Sequence, residues 1–179
     1  MNRVEIEVKL NQGRVWLLER VVAFTPEDLT RPLTPSEDDP ASSWSVKDHV
    51  AHLAGIERAF NAMIRRHLAG TANPVGLPID ADGRPQSREA IMALVHARNE
   101  TWVREHRDKD LGAVVALGQA TRAATFALLA ELTDEQLAQT LPGAPWADGT
   151  IGGVLAVNDD HARRHLQWID EAFAQLRDA

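Results

Sequence analysis

Residues 44–70, WSVKDHVAHLAGIERAFNAMIRRHLAG, read as one capped amphipathic helix. Ser45 and Asp48 stand at capping-box spacing and Gly70 supplies a stop, with Ser43 an alternative cap. At about 100° per residue, Val46, Leu53, Ile56, Phe60, Met63 and Ile64 fall on one arc. His52 lies at the edge of that arc, and His49 falls on it as well. An imidazole on a core face needs a hydrogen-bond or metal partner to offset its desolvation.

The same oddity recurs near the C-terminus. In a long helix capped by Thr150 and running to about Leu176, the apolar stripe is Ile151, Val154, Leu155, Val157, Leu166, Ile169, Phe173 and Leu176. His161 and His165 lie within this stripe, and their i,i+4 spacing sets two rings side by side. Three rings on the core faces of two helices point to a shared metal ion. A lone H-x-x-x-H on a helix is weak evidence, so His52 carries much of the weight.

Outward from these two helices the chain stays helical. A first helix is expected over about Arg3–Phe24, with Val4, Val8, Val15, Leu18 and Val22 as its stripe, and residues 25–28 open a short capped turn. Ser87 caps a segment bearing Ile91, Leu94, Val95 and Trp102, and a further helix follows over about Leu111–Leu132. Residues 133–136 form another capped turn. Polar, proline-rich loops fill 29–43, 71–85 and 141–149, and no strand pattern competes. The expectation is an all-α bundle of four main helices with one supplementary helix, forming a single domain over 1–179. The loops before the second and third helices are long enough to cross the bundle, but periodicity does not encode helix order, so a plain up-down arrangement stays open.

Composition narrows the function classes. The 179 residues are 44% hydrophobic and 25% charged, ordinary values for a globular protein. The formal charge of −7, with basic residues scattered or paired with acids, gives no phosphate footprint, so no nucleic-acid partner is expected. There is no cysteine, which removes disulfides, thiolate ligands and a cysteine nucleophile; any thiol chemistry needs sulfur from a cosubstrate. The charged N-terminus has no signal-like apolar region, and no later run is expected to approach a membrane span, so a cytoplasmic location without a membrane partner is the default expectation.

The pattern WSVKDHVAHL followed far downstream by HARRH resembles the DinB-like four-helix bundle superfamily. That superfamily takes in YfiT-type proteins assigned as metal-dependent hydrolases and mycothiol-dependent maleylpyruvate isomerases. The proline-rich segment before Trp44, ARNETW through LLAELTDEQL, and the closing helix share the likeness, and the eight-residue spacing from Trp44 to His52 is its most specific element. The resemblance implies a divalent metal, zinc or nickel, held by His52, His161 and His165; it gives His49 no such role. The isomerase branch tends to place a carboxylate where this chain has His161, which argues against a maleylpyruvate substrate. The ClbS/DfsB branch, which acts on reactive small molecules without an evident metal, is the nearest rival.

The remaining polar residues are weaker candidates. Glu57 is the weak candidate for a general base or for a partner to a metal ligand, against the simpler reading of a satisfied carboxylate at the core edge. Asn158 reads as a ligand contact or, more simply, a structural hydrogen bond. Asp159 and Asp160 read as solvated charges at the stripe's edge, Trp44 and Trp168 as walls of the site or, more simply, as core packing, and His67, His96 and His106 as surface residues. Neither an HExxH motif nor a Glu-x-x-His pair is present.

Two functions follow. The first is a metal-dependent enzyme acting on a small-molecule substrate by hydrolysis or by transfer of a low-molecular-weight thiol, which would serve as cosubstrate. The alternative is a non-catalytic metal or small-molecule binding protein that sequesters its ligand. A homodimer through an outer helical face is expected with either.

Overall fold

The computed structural model describes residues 1–36, 38, 39, 41–79, 82, 84 and 86–178. Parts of the loops expected at 29–43 and 71–85 lie outside the described residues. The elements in chain order are α1 (Arg3–Val22), α2 (Pro26–Thr30), β1 (Thr34–Pro35), β2 (Ser43–Trp44), α3 (Val46–Leu68), α4 (Arg88–His106), α5 (Leu111–Glu131), α6 (Asp134–Leu137) and α7 (Ile151–Asp178). Side-chain caps start the helices because the first backbone N–H groups of a helix have no internal partner. Asn2, Thr25, Ser45 and Thr133 form capping boxes, and Ser87 and Asp110 accept single bonds. Thr150 Oγ1 accepts from the Gly153 N–H to open α7.

Four helices make the bundle, in the ring order α1, α7, α3, α5. Cross-helix bonds fix their directions. Lys9 reaches Asp160 and Arg20 reaches Asp170, so α1 and α7 run parallel. Glu57 meets Arg122 and Arg65 meets Glu131, so α3 and α5 run parallel. His49 faces His165 and His52 faces His161 across α3 and α7, which are therefore antiparallel. A plain up-down bundle does not allow these pairings: the chain crosses the bundle between α1 and α3, and α4 is the supplementary helix that returns it from α3 to α5.

Helix α4 seats on α3 through Trp102, whose Nε1 donates to the Ala51 carbonyl at 2.8 Å. The indole lies over Gly55, where a Cβ would fall 2.6 Å from the ring. Glycine is what the contact requires.

The core has two parts. One gathers Ile6, Leu10, Phe60, Ile64, Leu128 and Leu155, and the other Leu17, Val21, Val46, Val50, Val114 and Leu166. The structure corrects the expected stripe of α1. Its buried face is Ile6, Leu10, Gly13, Leu17 and Val21, whereas Val4, Val8, Val15 and Val22 are exposed and Leu18 is half-buried. Helix α1 is apolar on two faces, and periodicity alone selected the outer one.

Two further expectations change. The loop before α3 contains a two-residue antiparallel pair, Thr34 with Trp44 and Pro35 with Ser43, too short for alternation to show in the sequence. Helix α5 is long and apolar enough to cross a membrane, contrary to the expected absence of such a run. Its Arg122 and Thr125 nevertheless hydrogen-bond Glu57 of α3, an arrangement of a bundle helix.

Candidate metal centre

Antiparallel packing of α3 on α7 brings His52, His161 and His165 together, with one ring nitrogen of each lying within 4.8 Å of the others. The His52 ring centroid is 5.2 Å from that of His161 and 4.7 Å from that of His165. His52 and His165 are buried and His161 half-buried. Three imidazoles with no carboxylate among them suit a borderline-soft divalent cation such as zinc or nickel.

His49 joins the cluster from behind. Its Nδ1 is 2.8 Å from Nδ1 of His165, and its Nε2 is 2.8 Å from Thr34 Oγ1. On its other side, His165 Nε2 meets His161 Nε2 at 2.9 Å. The chain Thr34–His49–His165–His161 leaves His165 with Nε2 turned toward the cluster and Nδ1 turned away. Both nitrogens of His49 are committed elsewhere.

The environment keeps these rings neutral, the form that binds metal. Burial lowers His49 to about 4, helped by the charge of His161, and burial with the nearby Arg164 lowers His161 to about 4. Burial first, then the neighbouring histidines, holds His52 and His165 well below the ordinary range.

Trp44 walls the cluster, its ring centroid 5.0 Å from His52 and 5.4 Å from His49. Glu100 of α4, almost wholly buried, fixes it in place: Trp44 Nε1 donates to Glu100 at 2.7 Å, and Ser36 and Ser42 donate at 2.6 and 3.2 Å. Burial opposes ionisation of Glu100, yet these bonds and the charge of Arg107 carry its pKa below the usual carboxylate range. Sequence reading missed Glu100, whose partners come from a loop more than fifty residues away. Trp168 stands edge-on to His165 at 4.8 Å and is partly exposed.

The other candidates fall elsewhere. Glu57 points to α5, accepting from Arg122 at 2.7 and 3.0 Å and from Thr125 at 2.6 Å. It is absent from the lining of the cavity beside His52, which gives it the satisfied structural role. Asn158 donates to the Leu155 carbonyl, also a structural bond. Asp159 is buried, not solvated: it packs against Gly13 of α1, where a Cβ would collide with it, and accepts from Arg163. Asp160 is exposed and paired with Lys9. His67 lies in the last turn of α3, and His106 stacks on Trp102. His96 is not merely a surface residue, since it lines the cavity.

That cavity, about 280 Å³, lies between α3, α4 and α7, with His52 and His161 in its wall and Ile56, Phe60, Val95 and Trp146 supplying apolar surface. A second hollow lies on the other side of the histidines, against Thr34, His49 and His165. The cluster thus forms a wall between the two.

A bundle with parallel helix pairs, joined by connections that cross it, and a three-histidine cluster beside an apolar cavity defines the class of protein. A family model of the DinB superfamily matches residues 9–169, and the chain belongs to that superfamily. In fold it is similar to the crystal structure of an uncharacterised protein from Escherichia coli UTI89, with a TM-score of 0.63 and 17% identity over 98% of this chain and 95% of that one. No curated protein gives a significant sequence match.

Proposed function

We propose that this chain is a metal-dependent enzyme acting on a small molecule by hydrolysis or by transfer of a low-molecular-weight thiol, with His52, His161 and His165 as metal ligands. The observation that carries the reading is the convergence of three buried or half-buried imidazoles beside an apolar cavity. A zinc or nickel ion bound there would supply Lewis acidity with coordination positions left open. With Nε2 of His165 given to the ion, its proton would sit on Nδ1, where His49 Nδ1 lies 2.8 Å away to accept it, and Trp44 packs the ring of His52. The apolar cavity wall excludes water from the rest of a bound molecule. With no cysteine in the chain, sulfur for a transfer reaction arrives as a free thiol.

The test is metal analysis of the purified protein, followed by ester, amide and thiol-conjugation assays before and after chelation. Turnover that vanishes on chelation and returns with one added ion supports the proposal. Tight metal or ligand capture without turnover favours a sequestering protein. In a cobalt-substituted sample, a thiol-dependent charge-transfer band that is absent from His52→Ala supports transfer; turnover of a hydrolysable substrate with no thiol effect supports hydrolysis.

A further inference from the structure

The whole chain carries a formal charge of −7, yet the cavity beside His52 and His161 has the opposite local balance. Arg98 of α4 and Arg164 of α7 line it from two different walls. Both are exposed, and neither has an ion-pair or hydrogen-bond partner among the described residues. Several arginines elsewhere are engaged: Arg14 donates to the Val115 carbonyl, Arg20 to Asp170, Arg122 to Glu57 and Arg163 to Asp159. The lining contains one carboxylate, Asp160, and Lys9 neutralises it at 2.7 Å. Positive charge at the cavity is therefore uncompensated among the described residues.

The rest of the lining is mostly apolar, with Ile56, Phe60, Met63, Val95 and Trp146 around the space. At about 280 Å³ the cavity is near the lower end of ordinary ligand sites, roughly 300–1,000 Å³. Guanidinium groups recognise carboxylates by paired N–H donation, and they gain strength at the edge of an apolar surface that displaces water. We propose that the cavity takes a small molecule with an apolar body and one carboxylate, the body packed between α3, α4 and α7 and the carboxylate held by Arg98 and Arg164. This rests on the reading of the same site as a metal centre, because it leaves the neutral part of the ligand to face His52 and His161. The arginines act as specificity residues, distinct from the metal ligands.

The experiment uses the full chain loaded with zinc and compares 4-phenylbutyrate with its uncharged amide by calorimetry and by NMR chemical-shift mapping. The acid is expected to bind about tenfold more tightly than the amide, the scale of a charge-assisted hydrogen bond. Arg98→Gln and Arg164→Gln are each expected to cut that preference, and the double variant to abolish it, with the amide affinity and metal content unchanged. Equal binding of acid and amide, or no binding of either at millimolar concentration, overturns the proposal. So does an acid preference that survives in the double variant and disappears on chelation, since it would put the carboxylate on the metal. Metal content measured on the same samples separates the two readings: a preference that depends on the arginines in a protein that binds no zinc would sink the metal centre and leave the carboxylate site standing.

Discussion

His49 shows how one ring can matter to a metal site without touching the ion. Its Nδ1 and Nε2 lie against His165 and Thr34, so in the proposed metal centre it would act by holding His165 in one tautomer and one orientation. His49→Ala is therefore expected to keep a stoichiometry of one ion per chain at saturation while weakening affinity roughly 10–100-fold. His52→Ala and the double variant His161→Ala with His165→Ala should lose the ion altogether. Titration with a competing chelator measures both, and complete loss in His49→Ala would make it a fourth ligand. The same burial sets a pH dependence. With His49 and His161 at about 4 when folded and about 6.5 when unfolded, the unfolded chain binds more protons throughout that interval. Stability of the chelated protein is thus fully present above about pH 6.5 and falls as pH drops toward about 4, by about 1.4 kcal/mol per pH unit for each such histidine. Denaturant unfolding between pH 7 and 5 reads this slope; stability that rises on acidification would contradict the buried, neutral assignment.

At the level of elements, α3 works on two faces at once. His49 and His52 face α7, while Glu57 and Asn61 face α5, where Asn61 donates to Thr125 and Arg122 and Thr125 donate to Glu57. The ion pair is largely buried, and removing one partner leaves an uncompensated charge. Glu57→Ala is expected to destabilise the fold by about 3–5 kcal/mol while keeping the metal stoichiometry of the folded fraction. Metal loss at full stability in thermal melts would instead return Glu57 to the site. The histidine positions were legible because the apolar arcs of α3 and α7 put all four rings on core faces, and the family resemblance then separated His52 from His49. Glu57 was not legible to the same degree: an arc edge does not say which neighbouring helix it faces. Glu100 lies within the ARNETW stretch that shares the family likeness, yet its role was not legible there, because its bonds to Ser36, Ser42 and Trp44 arise only when the segment before α3 lies against α4.

Across the whole molecule, the part hardest to read in the sequence was the pairing of parallel helices, since loop length permits a crossover without requiring one. The exposed side of α1 carries the next consequence. Val4, Val8, Asn11, Val15, Leu18 and Val22 follow alternating spacings of four and three, the pattern of a coiled-coil seam, and Val4, Val8, Val15 and Val22 are each about half or more exposed. Next to α1 in the ring, α5 is apolar around most of its circumference, yet a third of its most apolar window is buried, leaving Ala113, Ala116, Ala120, Ala123 and Ala127 exposed. A helix of that composition is normally covered on all sides. A second copy of the chain, meeting the first about a two-fold axis along α1 and α5, would cover both stripes with like surface, as an isologous interface requires. Sedimentation at micromolar concentration is expected to give a particle of twice 19.7 kDa, and Val8→Glu with Val15→Glu to give monomers of unchanged helicity and metal content. These substitutions lie on the side of α1 away from its buried face, so loss of self-association without loss of fold is the specific outcome. A wild-type chain that sediments as a monomer would leave the seam without this partner.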